Sequence, residues 1–384
     1  MLEETIQHLE TLVGFPTVSS DSNLDLIQWV GDRLRPLGAR VEIMADATGE
    51  KANLFATFGP EGPGGVVLSG HTDVVPASDQ RWSSDPFKLI RDGDRLYGRG
   101  TADMKGYLAA CLAIAPKLAI SDLLRPVHFA FTYDEETGCL GGQALAKVLS
   151  VREDRPSLAI VGEPTSMRVI EGHKGCHEYT TRFRGLEGHG SDPDAGVNAL
   201  EYAVRYVARL LELKADLAAR PLAGSRFRPP WSTVNVGRLQ GGVAPNVIAG
   251  AAEVEWETRP VRPEDHVFVK ETMARFARDT LLPAMQEVHP DAAIETETIG
   301  EVEGLEPMNE NAARDLVFSL TGSNAADVVA FGTEAGLFQS IGMSVVVCGP
   351  GSIEQAHKPD EFIEVQQLEA CLDMLARLVE RLTR

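Results

Sequence analysis

The sequence predicts an α/β protein in two parts: a main domain with a mixed, largely parallel sheet between helices, and an inserted ferredoxin-like α+β domain. Three observations carry that reading. Short β-branched runs alternate with helical patterns up to about residue 161, the order changes to β-α-β-β-α-β between residues 176 and 298, and the α/β alternation then resumes.

The elements follow in order. Leu2, Ile6, Leu9, Leu12 and Val13 fall at helical spacing before a Gly14-Phe15-Pro16 break, and a second helix runs from Asn23 to about Leu37. Strands are expected at Ala52-Phe58 and Val66-Ser69, then a small-residue helix Lys105-Ile120, a strand Val127-Tyr133, a helix Gln143-Leu149 and a strand Leu158-Val161. The inserted part reads as strand His177-Phe183, helix Val197-Leu217, strands Thr233-Leu239 and Val247-Thr258, helix His266-Met285 and strand Ala293-Thr298. A helix at Asn311-Ser319, a strand at Met343-Cys348 and a helix Val365-Leu382 complete the main domain. The expected boundaries are therefore 1–175, 176–298 and 299–384, with hinges near Gly175 and Gly300-Gly304.

Composition narrows the function. Lys+Arg 36 against Asp+Glu 56 leaves a net charge of −20 in 384 residues, a field that repels phosphate backbones and anionic headgroups. Neither nucleic acid nor membrane is an expected partner. No apolar run approaches the ~18 residues that span a bilayer, MLEETIQHLE lacks a basic n-region, and the cytoplasm is the expected compartment. Cys111, Cys139, Cys176, Cys348 and Cys371 show no C-x-x-C spacing, which argues against a disulfide framework or a thiolate zinc site. A metal here must use carboxylates and imidazoles.

Such residues gather at strand ends. His71 and Asp73 follow the run Val66-Ser69, Asp103 closes a glycine-rich turn before the small-residue helix, and Asp134-Glu135-Glu136 follow an apolar strand. Glu163 follows another, and His357 lies late in the chain. α/β folds place their sites at such ends. Three adjacent acids repel one another, and a bound cation removes the conflict. His71, Asp103, Glu136, Glu163 and His357 form a mixed set suited to two Zn²⁺, with Co²⁺ or Mn²⁺ as substitutes. At strand spacing Asp73 supports the His71 ring, and Glu135, facing the other way from Glu136, is free to act as general base.

The ordered motifs SGHTDVVP, GRGTADMKG, DEETG, GEPT and AHKPDE resemble those of the dinuclear zinc metallopeptidases and aminoacylases, a family that includes acetylornithine deacetylase, succinyl-diaminopimelate desuccinylase and carboxypeptidase G. The likeness to the acetylornithine deacetylase branch comes through His173-Lys174-Gly175, Thr333-Glu334-Ala335 and the segment Gly349-His357. The resemblance implies that Asp103 bridges two metals, with His71 and Glu163 on one and Glu136 and His357 on the other. It further implies Glu135 as acid/base, Asp73 behind His71, and a lid through which two chains pair as a homodimer. His189 of the lid matches a histidine that polarises the scissile carbonyl across such dimers, although Gly190 stands where the family usually has Ser, so a looser turn is expected. Arg259, Asn246, Lys174, Thr333 and Ser352 match substrate-pocket positions, and Glu334 is the candidate partner for a substrate ammonium. The implied reaction is removal of the acetyl group from N-acetyl-ornithine, a step in arginine biosynthesis. The alternatives are another aminoacylase such as a succinyl-diaminopimelate desuccinylase, a dipeptidase, or a non-catalytic binder of acylated amino acids.

Overall fold

The computed structural model describes residues 1–383. The chain divides into two compact units. The larger comprises Met1–His173, Leu305–Val328 and the residues from Thr333 onward; the smaller comprises Lys174–Gly304 and Val329–Gly332. Relative to the sequence expectation, Lys174 and Gly175 go with the smaller unit, as does the stretch to Gly304, because the strand expected to end at Thr298 continues to Val302.

The larger unit is built on an eight-stranded sheet in the order Arg40–Ala45, Ala52–Phe58, Val127–Thr132, Val66–His71, Leu158–Pro164, Ser344–Gly349, Ile170–His173 and Asp327–Val329. The four central strands from Val127–Thr132 to Ser344–Gly349 run parallel, and antiparallel strands flank them. Val66–His71 and Val127–Thr132 are buried at every position, polar Ser69, His71, His128 and Thr132 included, so they lack the alternation of a half-exposed strand. Helices Leu2–Val13 and Val365–Leu382 pack on Gly106–Ile120, which is itself buried along nearly its whole length. Its alanines let these neighbours approach closely.

The smaller unit has a four-stranded antiparallel sheet ordered Thr233–Gly241, Ala251–Arg259, Cys176–Arg184, Ala293–Val302. Helices Ala199–Ala218 and Pro263–Phe276 complete the ferredoxin-like plait. In Ala251–Arg259 buried positions strictly alternate with more exposed ones, and Val254 and Trp256 join Tyr206, Leu210 and Leu213 of the helix in one apolar core. The single strand expected over Val247-Thr258 is two: Val247–Ile248 pairs with Gly188–His189, and Ala251–Arg259 enters the sheet. The helix expected over His266-Met285 starts at Pro263, where proline's fixed φ suits a first turn, and reaches Gln286 through a wider turn at Ala277–Leu281. Among the described residues no helix is long and apolar enough to cross a membrane, and all five cysteines are free thiols.

Candidate metal centre

Five side chains from five loops or strand ends of the larger unit converge. His71 ends its strand and is 1% exposed. Its Nε2 lies 3.1 Å from Asp103 Oδ1 and 3.9 Å from Glu163 Oε1. Asp103 Oδ2 is 3.3 Å from His357 Nε2, which is also 3.0 Å from Glu136 Oε2. The Asp103 carboxylate thus spans the two imidazoles, one per oxygen. His71, Asp103 and Glu136 form one compact triad and His71, Glu135 and Glu163 another, with one donor atom from each residue within 4.8 Å of the others in its triad.

The local sequence explains these positions. Asp103 sits in the turn Thr101–Lys105, where Asp103 and Met104 leave helical geometry and their peptide is cis. Gly100 enters that turn at φ 81°, and a Cβ there would come within 2.7 Å of Val74 Cγ1, so only glycine fits. After Thr132 the chain leaves its strand, and Asp134 takes φ 52° with its carboxylate on Lys51 Nζ. That turn corrects one expectation: Glu135 does not face away from Glu136 by strand alternation. Both acids turn toward His71 and its neighbours.

Asp73 meets the His71 ring through two groups. The nearest acceptor to His71 Nδ1 is the Asp73 main-chain carbonyl, at 2.9 Å, while the Asp73 carboxylate is at 3.5 Å. That carboxylate accepts the Ser19 hydroxyl at 2.7 Å and the backbone N–H groups of Glu135 and Glu136 at 3.0 and 3.3 Å. Beyond the His71 ring, it therefore fixes the loop that presents two other acids.

Sequence reasoning missed Glu361. Its buried carboxylate accepts the backbone N–H groups of Gly100, Ala102 and Asp103 at 2.9, 2.9 and 3.1 Å, and Arg99 Nη1 at 2.9 Å. The signal was the final acid of AHKPDE, four residues after His357. Both Glu361 and Arg99 are 1% exposed, and breaking such a buried pair costs about 3–5 kcal/mol. Glu361→Ala should therefore lower stability in urea by about that much and weaken metal retention although no donor atom changes; unaltered stability and metal content would remove Glu361 from this role.

The electrostatics test whether metal fits. Burial, reinforced by neighbouring acids, raises Glu163 well above the usual carboxylate range and Glu135 to about 8; Glu136 shifts the same way. Hydrogen bonds to Asp103 and Glu136 raise His357 to about 10. For His71 burial alone acts downward, but Asp103, Asp73 and Glu163 outweigh it and the imidazole titrates well above its normal value. Glu163 Oε1 is buried with no hydrogen-bond partner. An acid cluster that must take up protons in the absence of a cation, with one orphaned oxygen aimed into it, fits divalent metal ions.

A pH dependence follows. These raised groups bind protons more tightly folded than unfolded, so the metal-free chain loses stability as pH climbs from about 4.5 through 8, where the glutamates ionise, and His357 continues the loss toward its raised value. Asp73 and Asp103 shift downward and act in the opposite sense, at acid pH only. In chelator, the Tm at pH 8 should lie below that at pH 5, and added zinc should raise it more at pH 8; a Tm flat across this range counts against the cluster.

The other residues singled out from the sequence are distributed as follows. Thr333, two residues before the helix Ala335–Ser340, accepts the Ala335 N–H at 3.1 Å and lies 3.0 Å from His173 Nε2. Ser352, partly exposed, accepts the Glu354 N–H at 3.3 Å. Glu334 is 1% exposed and accepts the hydroxyls of Ser69 and Thr132 at 2.5 and 2.8 Å; the expected ammonium contact is corrected to a buried acceptor between two strands. In the smaller unit, Lys174 Nζ donates to the Trp231 carbonyl at 2.9 Å, and burial lowers its pKa to about 8. The Arg259 guanidinium holds Glu257 at 2.7 Å. Exposed Asn246 accepts the Gly190 N–H through its main-chain carbonyl at 2.8 Å. A Cβ at Gly190 would meet the Asn246 backbone at 2.9 Å, so this turn is tight rather than loose. The serine is one residue on: the Ser191 N–H and hydroxyl lie 3.2 and 2.7 Å from His189 Nδ1. With Nδ1 accepting, the ring proton sits on exposed Nε2.

A mostly parallel sheet carrying sunken carboxylates and imidazoles at its strand ends is the construction of a metal-dependent hydrolase. Comparison with known proteins makes it an amidohydrolase and places it further: the chain matches Peptidase family M20/M25/M40 over residues 67–381 and belongs to that family. It is 34% identical over 381 residues to the acetylornithine deacetylase of Shigella sonnei (strain Ss046), covering 97% of this chain and 96% of that protein. In fold it is similar to an M20 family metallo-carboxypeptidase from Sulfolobus solfataricus, with a TM-score of 0.77 at 16% identity over 98% of each chain. A Staphylococcus aureus tripeptidase gives a TM-score of 0.75 at 20% identity over 100% of this chain and 98% of that one. The Bacillus subtilis YxeP protein, described as a dinuclear metal binding peptidase, gives 0.64 at 18% identity over 99% of this chain and 98% of that one.

Proposed function

We propose that this amidohydrolase removes the acetyl group from the α-nitrogen of N-acetyl-ornithine, releasing ornithine and acetate, and that it acts in the cytoplasm in arginine biosynthesis. The observation that carries the reading is the 34% identity, sustained over 97% of the chain, to an acetylornithine deacetylase.

In this reading two zinc ions would be held by Asp103 between them, with His71 and Glu163 for one and Glu136 and His357 for the other. When bound, the pair of cations supplies Lewis acidity to the amide carbonyl and acidifies a water toward neutrality. Glu135, held by the Asp73 contact to its backbone N–H at 3.0 Å, takes the proton of the attacking water and returns it to the leaving nitrogen. His189 offers its Nε2–H to the carbonyl oxygen as negative charge develops there, from a lid that also pairs two chains as a homodimer. Arg259 and the Gly349–Ser352 loop meet the substrate carboxylate, and at Arg259 that carboxylate competes with Glu257. By the same resemblance Asn246 and Lys174 are further candidate substrate contacts. Glu334, with its oxygens on Ser69 and Thr132, drops out as the ornithine contact.

The test is amine release by zinc- or cobalt-loaded protein from N-acetyl-ornithine, N-succinyl-diaminopimelate, N-acetyl-methionine and a dipeptide in parallel. Strong preference for the first is the expected result. Preference for another leaves the metal machinery standing and overturns the substrate; cleavage of none overturns catalysis on this substrate class.

A further inference from the structure

The smaller unit contains a second cluster of metal-ligating side chains, made of none of the acidic centre's residues. His177 lies in the strand Cys176–Arg184, Glu301 is its direct partner across the neighbouring strand, and His266 comes from the helix Pro263–Phe276. One donor atom from each falls within 4.8 Å of the others. The two imidazoles stack with centroids 3.6 Å apart and planes 13° from parallel.

The polar bookkeeping here is incomplete. His177 is fully buried and neither ring nitrogen has a hydrogen-bond partner; His266 Nδ1 and the hydroxyl of Thr258, which faces His177 across the sheet, are likewise buried and unpartnered. Four orphaned polar atoms on three neighbouring residues, each more than nine-tenths buried, point to something that binds there. Gly175 lets the chain pass close by the ring: a Cβ at that position would stand 3.1 Å from His177 Nε2 and 2.9 Å from Pro260 Cγ.

The chemistry selects the occupant. Burial drives the His177 pKa down to about 3 and lowers that of His266, so both rings are neutral, the form that ligates metal. Glu301 supplies a carboxylate, and Tyr179 Oη and Lys270 Nζ both contact its Oε1. Lys270 is half exposed and has room to swing into solvent when a cation arrives.

We propose that His177, His266 and Glu301 form a structural site for one divalent transition-metal ion such as zinc, independent of the acidic centre and of the reaction assigned to it. Two imidazoles and a carboxylate are a borderline donor set matched to zinc. Stacked rings present their lone pairs side by side, so binding rotates one ring toward the other's in-plane direction. The ion then ties the helix Pro263–Phe276 to two strands next to the points where the chain enters and leaves the unit.

The test is zinc K-edge anomalous scattering from crystals of the full chain grown with a few equivalents of zinc, together with zinc stoichiometry by equilibrium dialysis for wild type and His266→Leu. The expected result is an anomalous peak between His177, His266 and Glu301 and one equivalent fewer in His266→Leu, whatever the occupancy of the acidic centre. Equal stoichiometry, a peak that appears only at millimolar zinc, or water-like density without anomalous signal overturns the proposal. The crystallographic arm uses the unaltered protein and decides the matter even if the variant fails to fold.

Discussion

Glu135→Ala keeps its bound metal and loses turnover by about 10²–10⁴-fold, the usual contribution of a positioned acid/base. Glu135 makes no hydrogen bond to either imidazole; its oxygen receives the Cys139 thiol at 3.5 Å, and its carboxyl is raised to about 8, first by burial. Removing a group that the fold holds with difficulty in ionised form should leave the metal-free chain at least as stable above pH 5 as it was. The combination to look for is full metal content by elemental analysis, an unchanged or higher Tm in chelator, and nearly absent amide hydrolysis. Since Glu135 also lies within reach of His71 and Glu163, loss of a metal equivalent in the variant would make it a ligand instead, and retention of most activity would end its assignment as base.

Asp103→Ala should behave in the opposite way on every count but turnover. Its two oxygens stand 3.1 and 3.3 Å from the two imidazoles, and its pKa lies below the usual range: burial resists the charge, but the hydrogen bonds and charges of His357 and His71 prevail. A depressed carboxylate contributes stability that is present above its unfolded pKa. The variant should therefore bind less metal and also melt at a lower temperature without metal at neutral pH, leaving His71 and His357 short of their shared partner. Recovery of two tightly held ions per chain would refute the bridging assignment.

How far these residues were visible in advance depended on burial and on where a strand stops. Ala52–Phe58 and Val365–Leu382 were legible to the residue, because continuous burial in one and a helical stripe in the other leave a plain pattern. The edge strand Arg40–Ala45 was not: none of its positions is buried, so it shows no alternation to read. Ile170–His173 and Asp327–Val329 are too short to carry a period. The donor set was legible as residue types at strand ends. Side-chain direction was not, because Asp134 turns into positive φ exactly where strand alternation was being extrapolated to Glu135 and Glu136. Glu361 escaped notice because its partners are main-chain N–H groups 258 to 261 residues away, a relation no local pattern encodes.

The position of Ser344–Gly349 between Leu158–Pro164 and Ile170–His173 sets a timetable for biosynthesis. As the chain leaves the ribosome, the four strands of the smaller unit emerge consecutively and can close on themselves. The larger sheet waits with a missing central member, its two waiting neighbours exposing unpaired edges, a state in which nascent chains are prone to stick to one another. His357 follows that strand, so a growing chain acquires its acids and its first imidazole early but cannot grip metal with the full set until residue 357 has emerged. Metal supplied late, after Ser344–Gly349 has slotted home, meets a finished socket; metal supplied to the unfinished chain meets only loose acids.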